Sequence, residues 1–365
     1  MLETACKLLK EIKEHSYQAY IVGGFVRDYL LGIESNDIDI ATDATPKELK
    51  EMFEDSCLPS EDYGAVIVVM KGIRFEITTF RKEIEYIDHR KPVEIEYIHD
   101  LREDLLRRDF SINTLCMNEN GEVLDYLDAK KDLDAKIIRS IGDPIHKFQE
   151  DSLRILRAIR FATILDFELD EEIKQAILQT KYLIKDLSYY RKKMELDKIF
   201  TSPNYQKGVK LLLELGLEEE LEIPKLKEVL NCGTISLIGI WSILNVEDKY
   251  PFQKSELEQM EQIHEVLPLN NLDFNVLYQY GLYVNSVAWE MKGQDIKDIT
   301  EAYNRLAIKS KSEIDVDSET IMTVLHKQPG KYLKEIFQDI EKAILSGKLE
   351  NKRENICHYI IEKYQ

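Results

Sequence analysis

The most constraining feature of the chain is the run Asp37-Ile38-Asp39-Ile40-Ala41, in which acid and isoleucine alternate. A period of two is the pattern of a half-buried strand, so the isoleucines enter a core while Asp37 and Asp39 leave the opposite face together. Two adjacent carboxylates repel. A solvated strand face tolerates that repulsion, and a divalent cation between the acids relieves it, because Mg²⁺ takes carboxylate oxygens completed by substrate phosphates. The pair alone leaves both readings open.

The preceding residues narrow the choice. Tyr20 to Val22 is β-prone, ends in Gly23-Gly24 and passes into a helical stretch, Phe25 to Leu31, closed by Gly32. Glycines let backbone N–H groups approach a triphosphate, a helix N-terminus favours anions, and Arg27 lies one turn in with a guanidinium suited to phosphate. Clustered carboxylates beside a phosphate cradle are what in-line attack of a ribose 3′-hydroxyl on an α-phosphate requires.

The next ~100 residues continue the alternation. Thr45 and Pro46 open a helix running to about Phe53, and Ala65 to Met70 and Ile73 to Phe80 are β-branched runs around Lys71-Gly72, which suits a hairpin. From about Pro144 the pattern is helical, without evident strands. Lys147 to Phe161 reads as one helix, and further helical stretches cover roughly 170 to 200, 204 to 232, 253 to 267, 292 to 307 and 330 to 364. The expected architecture is α+β: a head over 1–140, then a helical neck over 141–200, a body over 201–270 and a tail over 271–365.

A net charge of −19 argues against a polyanionic partner, but a phosphate backbone feels local fields. Basic residues do cluster, at Arg102, Arg107 and Arg108, at Arg154, Arg157 and Arg160, and at Arg191 to Lys193. Apolar runs such as Ala65 to Met70 fall far short of the ~18 residues that cross a bilayer, and Met1 to Ser16 lacks the pattern of a secretory signal. Five scattered cysteines, with no zinc spacing, suggest reduced thiols in a cytoplasmic protein.

The segment Ile21 to Thr42, IVGGFVRDYLLGIESNDIDIAT, resembles the signature of class II tRNA nucleotidyltransferases, the branch of the polymerase-β superfamily that holds CCA-adding enzymes and bacterial poly(A) polymerases. The resemblance implies a polymerase-β-like head with a mixed sheet, followed by an elongated all-α neck, body and tail. It implies that Asp37 and Asp39 are catalytic and bind Mg²⁺, and that Gly24 and Arg27 contact nucleotide. Glu76 is either a third carboxylate or the ion-pair partner of Arg74 or Arg81.

Other segments extend the likeness. Leu105 to Asn113, LLRRDFSIN, matches an element in which Arg108 meets phosphate and Asp109 and Asn113 orient the ribose. Glu150 to Arg160, EDSLRILRAIR, matches the element that replaces a template: Asp151 accepts from the amino group shared by cytosine and adenine, Arg154 donates to the ring, and Arg157 and Arg160 face the triphosphate. Arg81 to Pro92 reads as an exposed loop and resembles one that A-incorporating members need. Leu325 to Asn351 resembles a tRNA-gripping tail. Two positions depart from the family pattern: Ala129 stands where a hinge glycine is expected, and Tyr190 where a glutamate precedes Arg191.

The implied function is template-independent addition of C, C and A to tRNA from CTP and ATP, with tRNA as partner and no protein partner implied. An A-adding enzyme and a poly(A) polymerase share the head chemistry, and a non-catalytic RNA-binding relative is the alternative from another class. The segment EDYGAVIVVMKG lacks the basic Gly-Arg-Arg-Phe stretch usual in poly(A) polymerases, which favours CCA addition.

Overall fold

The computed structural model describes residues 1–53, 57–60, 64–87, 91–233 and 236–365. The chain forms two compact units, Met1–Glu222 and Ile223–Gln365. In the first, α1 (Leu2–Glu14), β1 (Ala19–Val22), α2 (Gly24–Leu31), β2 (Asp39–Thr42) and α3 (Pro46–Met52) are followed by β3 (Cys57–Ser60), β4 (Ala65–Met70) and β5 (Ile73–Thr79). Strands β6 (Arg81–Ile87) and β7 (Lys91–Tyr97) form a separate two-stranded sheet, and α4 (Leu101–Leu106), β8 (Cys116–Met117), β9 (Val123–Leu124), α5 (Ala129–Ala135) and β10 (Ile137–Ile138) complete the head. Then come α6 (Pro144–Glu150), α7 (Leu153–Ile164), β11 (Glu168–Leu169), α8 (Glu171–Thr180), α9 (Tyr189–Phe200) and α10 (Tyr205–Glu214).

The main sheet is mixed, with strand order β3-β4-β5-β2-β1-β8-β9. Its β2–β5 pair is parallel and its other pairs are antiparallel. Ile21, Ile40, Phe75 and Ile77 are fully buried in it, which fixes the register: a slip of one residue would bring the acids inward. Local chemistry agrees with the sequence. Thr45 and Glu48 form a reciprocal capping box on either side of Pro46. Lys71 and Gly72 both take positive φ, 51° and 76°, as a tight turn matched to strand twist requires.

The second unit is helical: α11 (Leu237–Leu244), α12 (Lys254–Val266), α13 (Phe274–Met291), α14 (Ile296–Asn304), α15 (Ser318–Leu325), α16 (Tyr332–Leu345) and α17 (Arg353–Tyr364). Leu277, Ile299, Ile308, Ile321, Ile336, Ile340, Ile356 and Ile360 belong to one core cluster. Among the described residues no helix is long and apolar enough to cross a membrane.

Three expectations need correction. The strand expected from Asp37 begins at Asp39, so Asp37 precedes the ladder. The helix expected over Lys147 to Phe161 is two helices, broken at Asp151, whose extended backbone (φ −142°, ψ 104°) ends α6, so Asp151 and Arg154 do not share a helical face. Arg81 to Pro92, expected as a loop, pairs as β6 and the start of β7, with Arg81 opposite Tyr97 and Ile87 opposite Lys91; residues 88–90 lie outside the described residues.

Candidate active site

Parallel pairing of β2 with β5 sets Asp39 directly opposite Glu76, and residues opposed in a sheet project from the same face. Both line a cavity of about 710 Å³. Loss of water, then Asp37, then Glu76 push the Asp39 carboxyl up to about 6, with Arg108 pulling the other way. Asp37 thus acts on Asp39 through charge although it is not among the lining residues. Among the described residues no three Asp, Glu, His or Cys side chains form a complete protein cage for an ion.

The glycine turn closes over these acids. Gly23 has φ 75° and ψ −136°, and a Cβ there would lie 3.2 Å from Arg108 Nη1 and 4.0 Å from Asp39 Oδ2. Strain and crowding both require glycine. Gly24 begins α2, and Arg27, 7% exposed, starts a buried polar chain. Its Nε donates to Asp28 at 2.8 Å and its Nη1 to Asn113 Oδ1 at 2.7 Å. Asn113 Nδ2 donates to Asp109 Oδ1 at 3.0 Å, and Arg157 Nε to Asp109 Oδ2 at 2.8 Å. Burial alone would raise the Asp109 carboxyl. The Arg157 charge, the Asn113 and Arg157 hydrogen bonds and the Phe110 N–H overcome it and hold the group at about 2. Asp109 and Asn113 are therefore fixed in the cavity wall by one another and by two arginines.

Asp104, 1% exposed, anchors the neighbouring arginines. It accepts from Arg107 at 2.8 Å, from Arg108 at 3.4 Å and from the Arg81 N–H at 3.3 Å. The sequence offered only a helix-spaced acid here, one of many such i, i+3 pairs.

The expected base-selecting residues come from the helix break. Asp151 accepts from the Leu153 N–H at 3.1 Å and from Arg191 Nη2 at 3.3 Å, and all of Asp151, Arg154 and Arg191 line the cavity. Arg154 donates to the Lys147 carbonyl at 2.9 Å and to Glu150. Arg157 lines the cavity, whereas Arg160 is buried behind it, pairing with Glu195 at 2.8 Å. Phe161 also lines the cavity, a residue the sequence gave no reason to single out beyond its place after Arg160.

The two departures have structural answers. Ala129 opens α5 with ordinary helical geometry and is fully buried; Asp128 takes the positive φ of 56°, and Asp125 caps the turn by accepting from the Ala129 and Lys130 N–H groups at 2.9 Å. Tyr190 is 63% exposed, so α9 is tied to α6 and α7 through Arg191–Asp151 and Glu195–Arg160 without residue 190.

Comparison with known proteins places the chain in a family. Residues 19–139 match the Poly A polymerase head domain, 166–229 a probable RNA and SrmB-binding site of polymerase A, and 244–360 a putative tRNA nucleotidyltransferase domain 2. The chain is 35% identical to the CCA-adding enzyme of Bacillus pumilus, covering 98% of this chain and 96% of that protein. Identity to the Bacillus subtilis CCA-adding enzyme is 33%, with 98% and 97% covered. A crystal structure of the Bacillus stearothermophilus CCA-adding enzyme in complex with CTP superposes with a TM-score of 0.85 at 27% identity, over 99% of this chain and 96% of that one.

Proposed function

The chain belongs to the family of CCA-adding enzymes, and we propose that it adds C, C and A to the 3′ end of tRNA from CTP and ATP, releasing pyrophosphate at each step. The observation that carries this reading is the Asp39–Glu76 pair under the Gly23 turn, in one cavity with Asp151 and Arg154. A binding module has no use for repelling acids at the floor of an arginine-lined cleft.

The donor set fits a divalent cation. Loss of water, and then repulsion from Asp37 and Glu76, lift the Asp39 carboxyl to about 6, a cost that a cation offsets, and Mg²⁺ is commonly held by one or two carboxylates completed by substrate phosphates, so no larger protein cage is needed. We infer that Asp37 and Asp39 hold Mg²⁺, with Glu76 as a further carboxylate beside them. When bound, the metal supplies activation of the 3′-hydroxyl and neutralisation of the departing pyrophosphate.

The protein's own groups do the rest. The Gly23-Gly24 turn and the start of α2 present backbone N–H groups to the triphosphate, flanked by Arg27 and Arg108. Asp109 and Asn113, already held rigid, stand where a ribose would be oriented. Asp151 retains lone pairs beyond those used by Arg191 and Leu153 and accepts from the amino group of cytosine or adenine, while the planar fork of Arg154 donates to the ring; uracil and guanine present the reverse order. Arg157 completes the phosphate side through the cavity wall, and Arg160 supports it from behind. The free thiols of Cys6, Cys116 and Cys357 support a cytoplasmic setting.

Three RNAs with Mg²⁺, CTP and ATP test the reading: tRNA lacking CCA, tRNA ending in CC, and an unstructured RNA. Restoration of CCA on the first two is expected. Extension of only the CC-ended tRNA would assign an A-adding enzyme, and long tails on unstructured RNA a poly(A) polymerase.

A further inference from the structure

Three guanidiniums meet on one aromatic ring. The Cζ atoms of Arg160, Arg27 and Arg157 lie 4.4, 5.1 and 5.5 Å from the centroid of Phe161. Significant cation–π contacts occur only about once per 70–80 residues, so three on one ring mark a built feature. The edge-to-face contact of Phe161 with Phe110, at 5.8 Å and 80°, fixes the ring. Among the described residues the buried Arg160 Nε has no hydrogen-bond acceptor; the guanidinium meets Glu195 through Nη1 and the ring of Phe161.

Such a cluster works against itself. Burial, and the charges of Arg157 and Arg27, pull the Arg160 guanidinium below its usual range, while Glu195 and Asp109 pull it up. Each arginine has a carboxylate partner: Asp28 for Arg27, Asp109 for Arg157 and Glu195 for Arg160. The carboxylates balance charge, but none of them touches all three cations. Phe161 does, and it lines the cavity beside Arg27 and Arg157.

We propose that Phe161 is a positioning residue for the nucleotide triphosphate, its π face holding Arg27 and Arg157 at the spacing with which they meet phosphate oxygens. The inference rests on the nucleotidyltransferase reading and names what sets the geometry of its phosphate seat. The negative face of the ring attracts each cation without neutralising it, so both remain available to an incoming anion. A carboxylate at this position would spend that charge, and an aliphatic side chain would leave the cations to separate.

Fluorinated phenylalanines at position 161 test this, because added fluorines weaken the face of the ring with little change in volume. In the full-length protein, dissociation constants for CTP and ATP are expected to rise stepwise with one, two and three fluorines, while CMP binding and kcat change less than about twofold. Phe161→Leu should weaken CTP binding about tenfold, the size expected for losing one partly desolvated cation–π contact, and Phe161→Tyr should restore it. Flat CTP affinity across the fluorine series, or equal weakening of CMP and CTP, overturns the proposal even where unmodified protein adds CCA. Unmodified protein that neither binds CTP nor extends tRNA overturns the enzymatic reading and this inference together.

Discussion

Arg157 Nε donates to Asp109 Oδ2 at 2.8 Å, so that a helix residue is bonded to a head residue 48 positions earlier. The same carboxylate takes a hydrogen bond from Asn113, itself bonded to Arg27. The cavity wall is therefore one continuous polar chain from α2 to α7, buried enough that breaking any link leaves a neighbour unsatisfied.

That chain gives a pH signature. The Asp109 carboxyl sits at about 2 in the fold against an ordinary 3.8, so its ionised form favours the folded state. The contribution is present above pH ~4, disappears as pH falls through ~2, and amounts to roughly 2 kcal/mol at neutral pH. Asp109→Asn should lower stability at pH 7 by about that amount, with the gap closing towards pH 2, as measured by urea unfolding across pH. A gap independent of pH would contradict the ionic origin.

Gly23→Ala should be costly in two ways. A side chain at φ 75° is strained, and its Cβ would crowd Arg108 Nη1 at 3.2 Å. The expected result is a loss of about 1–3 kcal/mol of stability and a CTP KM raised about tenfold, with tRNA binding retained. Unchanged KM would detach the turn from the nucleotide.

Base selection should follow Asp151 and Arg154. Asp151→Asn puts an amide donor where uracil presents an acceptor, so incorporation of UMP relative to CMP should rise about tenfold, the scale of one exchanged hydrogen bond. Arg154→Ala should lower discrimination between CTP and UTP and reduce kcat/KM for both correct nucleotides. Fidelity unaltered in both variants would remove these residues from base recognition.

The head was legible in the sequence because its signals are local and agree. Glycines at strand ends, a Thr-Pro cap, β-branched runs around Lys-Gly and the acid/isoleucine alternation each specify a backbone state, and the elements they mark formed within about two residues of expectation, whereas Arg81 to Pro92, expected as a loop, pairs as β6 and the start of β7. Asp37 fell outside β2 because hydrophobic alternation marks a buried face and not where the ladder bonds begin. The helix break at Asp151 was hidden because Lys147 to Phe161 keeps helical spacing through it; Asp143 and Pro144 start one helix, and Asp151 ends it by turning its backbone extended. In the second unit, α11 is apolar on all sides and α13 is kinked at Gly281, φ 73°, so neither shows a clean helical period. Asp104 and Phe161 act through contacts distant in sequence, such as the Arg81 N–H and the Arg27 guanidinium, which spacing does not encode.

The acid pair leaves its own mark on stability. With its carboxyl raised to about 6, Asp39 ionises more readily in the unfolded chain, so its charge costs folding stability above that pH and costs nothing below ~4. Metal-free Asp39→Asn should therefore be more stable than the parent at pH 7 and equal to it below pH 4, and Mg²⁺ should raise the thermal midpoint of the parent more than that of the variant. A parent more stable than Asp39→Asn at pH 7 without metal would contradict the raised Asp39 carboxyl.

The most direct measurement is incorporation of labelled CMP and AMP into CCA-lacking tRNA by Asp39→Ala, alongside its affinity for the same tRNA. Turnover should fall by about a thousandfold or more, with tRNA affinity within about twofold of the parent. Turnover within about tenfold of the parent would show that the acid facing Glu76 does not carry the chemistry.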